Sequence, residues 1–176
     1  MPFVLSPKRK KFLSLWLRLK YYIQFPFTRF MLWCGFPNVD YAYIHGDPRR
    51  VTLGRRCSTP GTIFNVSSGC IAVGDETLFG HNCMVLTGVH RFQNGQRAKL
   101  NAQATIEEVP RTGYDIRIGK GCFIGSGAII LNKVTIGDNV VIGAGSVVTR
   151  DIADGSFACG VPAKVVPFSG IMEGRN

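Results

Sequence analysis

The chain has 176 residues, 21 basic and 11 acidic, for a formal net charge of +10, and 45% of it is hydrophobic. That length fits one domain able to bury a core of its own. The charge is uneven: residues 1–39 hold seven basic residues, from Lys8 to Arg29, and no acidic one, while the remainder has 14 basic against 11 acidic. A nucleic-acid-binding body is therefore excluded, and a basic amino-terminal arm is expected instead.

Residues 8–33 are apolar, but Arg18, Lys20, Pro26 and Arg29 interrupt them, and no run reaches the roughly 20 apolar residues of a membrane span. No small-residue cleavage site of the secretory kind follows, so a cytoplasmic protein is expected. Phe12, Leu15, Trp16, Leu19 and Ile23 recur at helical spacing beside Lys8–Lys11, so two short helices broken near Pro26 are predicted. Such an arm suits peripheral contact with the inner face of an anionic membrane. It equally suits a cap over the open end of a repeat body. Residues 38–50 read as a polar linker with a turn at Gly46-Asp47-Pro48, and His45 within it as a solvated side chain. The arm and linker occupy 1–45, a repeat domain 46–168 and a flexible tail 169–176.

Val51 and Leu53-Gly54 open the repeat, in an irregular frame through Pro60-Gly61. From Val73 a six-residue beat is clean, with Phe79 and Val85, and with Thr77, Cys83 and Val89 as smaller inward partners. It stops at His90, is absent from 91–115, and resumes as Ile118, Ile124, Ile130, Ile136, Ile142 and Val148. Cys122, Ala128, Val134, Val140, Ser146 and Ile152 form the second inward series, and Gly119, Gly125, Gly137 and Gly143 stand directly behind the aliphatic residues. Helices repeat near 3.6 and strands at two. A period of six needs a short strand plus a turn, the unit of an all-β solenoid. The loop 91–115 interrupts it, and long loops in regular folds tend to carry function. Phe157 to Phe168 is expected to leave the repeat and lie along the last coil.

The six cysteines, Cys34, Cys57, Cys70, Cys83, Cys122 and Cys159, form no CxxC pair, and buried reduced thiols are expected. No P-loop is present, nor a GxGxxG opening a helix. His90 is the outward residue at the coil edge where the loop departs. His81 lies nine residues earlier, half of an 18-residue coil, so the two histidines do not stack on one face. A zinc site needs three converging histidines, and the chain has only three in all, out of phase. No metal is expected.

The beat, the segment from Ile136 to Asp151 and the later Gly160-Val-Pro-Ala-Lys164 resemble the hexapeptide-repeat O-acetyltransferases, most closely those acting on maltose, galactosides and polysaccharides. The resemblance covers about residues 50–168. It implies a left-handed parallel β-helix, acetyl-CoA as donor, a sugar or glycan acceptor, and a homotrimer with its sites between subunits. Thr87-Gly-Val-His90 matches the family segment whose His is the general base, a role suited to an imidazole that titrates near neutrality. Asn65 matches an acceptor-holding Asn, and His81 is expected in a structural or substrate-side role rather than a catalytic one. For the donor, Phe123 stands where relatives place a Trp beside the pantetheine arm, and Ser126 where a backbone N–H faces the thioester. Ala144 and Gly145 match small residues along the coenzyme, and Thr149, Arg150 and Lys164 match the groups near its phosphates. The short arm favours a surface polysaccharide or its precursor over a free small sugar. A non-catalytic scaffold and a carbonic anhydrase-like zinc protein are the competing readings among such solenoids.

Overall fold

The structure is a computed structural model and describes residues 42–100 and 107–167; the arm helices expected over 8–33, and the tail from 169, lie outside them. Residues 1–39 and 40–176 form two separate units. The second is a prism with three parallel β faces. On the first face Tyr43–His45, Ile63–Asn65, Met84–Leu86, Ile129–Leu131 and Val147–Val148 stack in that order. The second carries Val51–Leu53, Ile71–Val73, Ile116–Ile118 and Thr135–Ile136, and the third Leu78–Phe79, Phe123–Ile124, Val141–Ile142 and Phe157–Cys159.

The six-residue beat is the walk from face to face. Ile118 pairs in register with Ile136, Ile124 with Ile142, and Ile130 with Val148, so three hexads make one coil and equivalent side chains stack every 18 residues. Three inward columns result: Phe64, Val85, Ile130 and Val148; Val73, Ile118, Ile136 and Ile152; Phe79, Ile124, Ile142 and Ala158. All are 5% exposed or less. Each large aliphatic side chain so buried contributes about 1.5–3 kcal/mol, which is why a three-residue strand suffices when it is repeated.

The glycines of the repeat answer to close approach. A Cβ on Gly119 would lie 2.4 Å from the Gly137 carbonyl oxygen, and one on Gly125 would lie 2.5 Å from the Ala144 nitrogen. Two residues further on, each corner needs a left-handed backbone. Gly121, Gly127, Lys133, Asn139 and Gly145 all have positive φ, again six apart.

Four details depart from the sequence expectations. The first coil starts at Tyr43–His45, inside the expected linker, where it pairs with Ile63–Asn65; His45 is exposed there, and its carbonyl accepts from the Val66 N–H. Val89 is only half-buried; the fully buried polar residue of that corner is Thr87, whose hydroxyl has partners inside the prism. Phe157 does not leave the repeat: Phe157–Cys159 continues the third face in parallel with Val141–Ile142, and only Lys164–Val166 turns back antiparallel. That last coil is two residues shorter, because Ile136 bridges to Ile152 rather than to the residue 18 on. Cys70 is exposed, whereas Cys83 and Cys122 are buried, and burial raises both of their thiol pKa values; all five described cysteines are free.

Candidate active site

The long loop enters at the edge between the first and second faces. Across it, Ile71 pairs with Ile116 and Met84 with Ile129, each 45 residues on, so 27 residues are added to an 18-residue coil without disturbing its register. The loop opens with a hairpin of Phe92–Gln93 on Gln96–Arg97. It returns at Tyr114, whose N–H donates to the Ser68 carbonyl at 3.2 Å. The loop is therefore clamped at its root, as a rigid site requires.

His90 stands at that root with its side chain 59% exposed. Glu108, from the returning limb of the loop, puts Oε1 3.3 Å from His90 Nδ1. The same oxygen lies 3.4 Å from Arg97 Nε, and only 18% of the Glu108 side chain is exposed. Arg97 Nε makes no well-directed hydrogen bond, so its contact with Glu108 is one of charge. The Arg91 N–H donates to the Glu108 carbonyl at 2.8 Å, fixing the limb beside His90. With Nδ1–H donating to the carboxylate, Nε2 carries a free lone pair, the arrangement of an oriented base. Glu108 was missed by sequence reasoning, since it lies 18 residues from His90 in a segment with no beat to place it.

Beneath His90 a buried polar network joins two coils. Thr87 Oγ1 donates to the Asn65 carbonyl at 2.8 Å and accepts from the Ser68 N–H at 3.2 Å. Ser68 Oγ accepts from the Val89 N–H at 3.4 Å. Thr87 and Ser68 are both fully buried. Asn65 Oδ1 accepts from the Ser67 N–H at 2.9 Å, and a Cβ added at Gly88 would lie 2.9 Å from Asn65 Nδ2. Asn65 and the His90 segment thus share one corner, with Gly88 making room for the amide.

The other expected residues divide between two edges. His81, Ser126 and Ala144 form a column along the edge between the third and first faces: His81 N–H donates to Ser126 Oγ at 3.1 Å, and the Gly145 N–H to the Ser126 carbonyl at 2.9 Å. Both His81 and Ser126 are exposed. Phe123 faces outward just before this column, 49% exposed, in register with Leu78 and Val141. Thr149 and Arg150 are exposed at the first–second edge, one coil beyond Lys133 and on the same edge as His90. Lys164 is exposed on the antiparallel strand, opposite Cys159. The structure therefore groups His90 with Asn65, and His81 with Ser126, Ala144 and Gly145. The first face separates the two groups by roughly 20 Å, from six residues at about 3.3 Å each.

A Cβ at Gly127 or Gly145 would meet nothing within 4 Å, so those corners open outward, beside the exposed Phe123 ring.

Residues 115–150 match a family model described as bacterial transferase hexapeptide (six repeats). Galactoside O-acetyltransferase of Escherichia coli (strain K12) is 33% identical over 116 residues, which are 66% of this chain and 53% of that protein. A solved structure of a galactoside acetyltransferase in complex with coenzyme A is 31% identical with a TM-score of 0.57, covering 72% of this chain and 58% of the other. A maltose O-acetyltransferase from Clostridium difficile 630 is 29% identical with a TM-score of 0.52, over 72% of this chain and 65% of that one. The chain spans about half the length of the curated relatives it matches, 53% and 42% of two galactoside O-acetyltransferases.

Proposed function

Because this chain belongs to the hexapeptide-repeat acetyltransferases and shares their left-handed parallel β-helix, we propose that it transfers an acetyl group from acetyl-CoA to a sugar hydroxyl. The observation that carries the proposal is the exposed His90 imidazole, held through Nδ1 by Glu108 at the root of the long loop. Nε2 takes the proton of the acceptor hydroxyl as its oxygen attacks the thioester carbonyl carbon. The carbon–sulfur bond then breaks, and the departing thiolate recovers the proton from the imidazolium, so the protons balance. Glu108 stabilises the imidazolium in between. The backbone N–H groups at the Ser126 and Ala144 corners are the ones suited to the negative charge on the carbonyl oxygen. Phe123 flanks the pantetheine arm, and Thr149, Arg150 and Lys164 serve the phosphates.

His90 and the Ser126–Ala144 column lie on opposite edges of one face, which supports a site completed by a second subunit. The homotrimer implied by the family resemblance is the assembly we propose for it. The acceptor we favour is a surface polysaccharide or its precursor, presented at a membrane to which the basic arm of residues 8–33 binds peripherally.

The activity test is release of coenzyme A thiol from acetyl-CoA by the purified full-length chain, with a matching mass gain of one acetyl group on a sugar acceptor. Mixing tests the shared site. His90→Ala and Ala144→Trp subunits, each inactive alone, regain activity when co-refolded, because one class of interface then holds an intact His90 and an intact corner. Inactivity of the mixture, with both variants correctly assembled, contradicts the shared site.

A further inference from the structure

Beside His90 lies a group of side chains that the proton-transfer chemistry does not use. Tyr114, on the returning limb, has Lys133 Nζ 4.7 Å from its ring centroid and Arg91 Cζ 6.0 Å from it. Two cations on one aromatic ring gain little from each other and repel; what they share is an unneutralised positive corner. No carboxylate among the described residues pairs with either. Glu108 is engaged by His90 and Arg97, Glu107 by Arg111, and the next coil's Asp151 accepts from the Thr135 N–H at 2.7 Å. Asp115, next to Tyr114, is likewise turned to the Cys70 N–H at 2.8 Å.

Lys133 also occupies a position where a side chain is costly. It is the left-handed residue of its corner, with φ +61°, a position that Gly127 and Gly145 hold in two other corners and that Glu76, Asn82 and Asn139 hold in others. A residue other than glycine in that conformation costs on the order of 1 kcal/mol. The loop root keeps the group in place: Tyr114 N–H is bonded to the Ser68 carbonyl, and a Cβ on Gly69 would lie 2.6 Å from the Tyr114 backbone. That coil is also the one that carries Asn65.

We propose that Arg91, Tyr114 and Lys133 form an anion subsite of the acceptor, so that the sugar modified next to His90 bears a carboxylate or a phosphate. This rests on the acetyl-transfer reading above and narrows its substrate class to acidic sugars. Tyr114 offers the aromatic face on which a sugar ring stacks, and Lys133 and Arg91 meet the charge at its rim. The same cations could instead hold a phosphate of the donor, and the experiment separates the two sources.

Acetyl transfer is measured with the matched acceptors glucose, glucuronate and glucose 1-phosphate, for the full-length chain and for Lys133→Ala and Lys133→Gly. Saturation-transfer NMR on the same sugars, in the presence of coenzyme A, reports binding independently of turnover. The expected result is a preference of at least about tenfold for an acidic member over glucose, lost in both variants while the rate with glucose is unchanged. Lys133→Gly removes the backbone cost as well as the charge, so a fold defect does not explain the loss. A rise in KM for acetyl-CoA with the acidic preference intact overturns the proposal, because the cations then serve the donor. Equal transfer to and equal binding of neutral and acidic sugars overturns it too. Should no sugar be acetylated, the acetyl-transfer reading fails, while NMR binding of glucuronate or glucose 1-phosphate that disappears in Lys133→Ala still establishes the subsite; its absence refutes it.

Discussion

Glu108 Oε1 lies 3.3 Å from His90 Nδ1, although 18 residues of loop separate them. The contact fixes an exposed imidazole through Nδ1. Glu108→Gln keeps the shape but removes the charge that stabilises the imidazolium. It is expected to lower kcat about 10-fold to 100-fold with KM for acetyl-CoA unchanged. An unchanged kcat would show that the pair has no part in proton transfer.

Thr87 supports the same corner from inside. Its buried hydroxyl serves the Asn65 carbonyl and the Ser68 N–H, and Thr87→Val leaves both groups without that partner. A loss of about 1–3 kcal/mol in unfolding free energy is expected, readable in denaturant titration. Thr87→Ser keeps the hydroxyl and should recover most of it. Equal stability of the Val and Ser variants would contradict the role given to the hydroxyl.

Arg150 is exposed at the first–second edge and Lys164 on the antiparallel strand of the third face. If both meet coenzyme phosphates, Arg150→Ala and Lys164→Ala raise KM for acetyl-CoA more than they lower kcat. The assignment fails if donor KM stays normal and acceptor affinity falls instead.

Much of the body was legible because a six-residue beat converts directly into inward columns. Every aliphatic residue from Ile118 to Val148 in that series is buried. Glycines behind the aliphatic residues followed from the pattern, though the reason needed the stacking: backbone atoms of the next coil lie within 2.6 Å of a Cβ on Gly119, Gly125 or Gly137, and Cys159 Cβ within 2.7 Å of one on Gly143. His90 was legible as the residue where the beat stops. Glu108, Arg97 and Tyr114 were not, since loop residues approach His90 through a fold of the loop that no periodicity encodes. The early start at Tyr43 was hidden for a related reason: among the described residues the first strand pairs on one side only, and its Tyr43 and His45 are exposed. Phe157 was placed outside the repeat because the coil before it drops two residues and breaks the count.

The basic arm offers a test independent of catalysis. Each basic residue near an anionic leaflet contributes roughly 1 kcal/mol, and the Phe12, Leu15, Trp16, Leu19 and Ile23 stripe adds apolar area. Full-length protein is expected to co-sediment with anionic vesicles at low salt and to be released as salt rises. If it remains in the supernatant with anionic and neutral vesicles alike, the arm is a cap and not a membrane anchor.

The most direct measurement is acetyl transfer by His90→Ala. Turnover is expected to fall by about 10²-fold to 10⁴-fold while acetyl-CoA binding, followed by calorimetry, stays within about twofold of the unmodified chain. Undiminished turnover in that variant would remove His90, and the loop root built around it, from the chemistry.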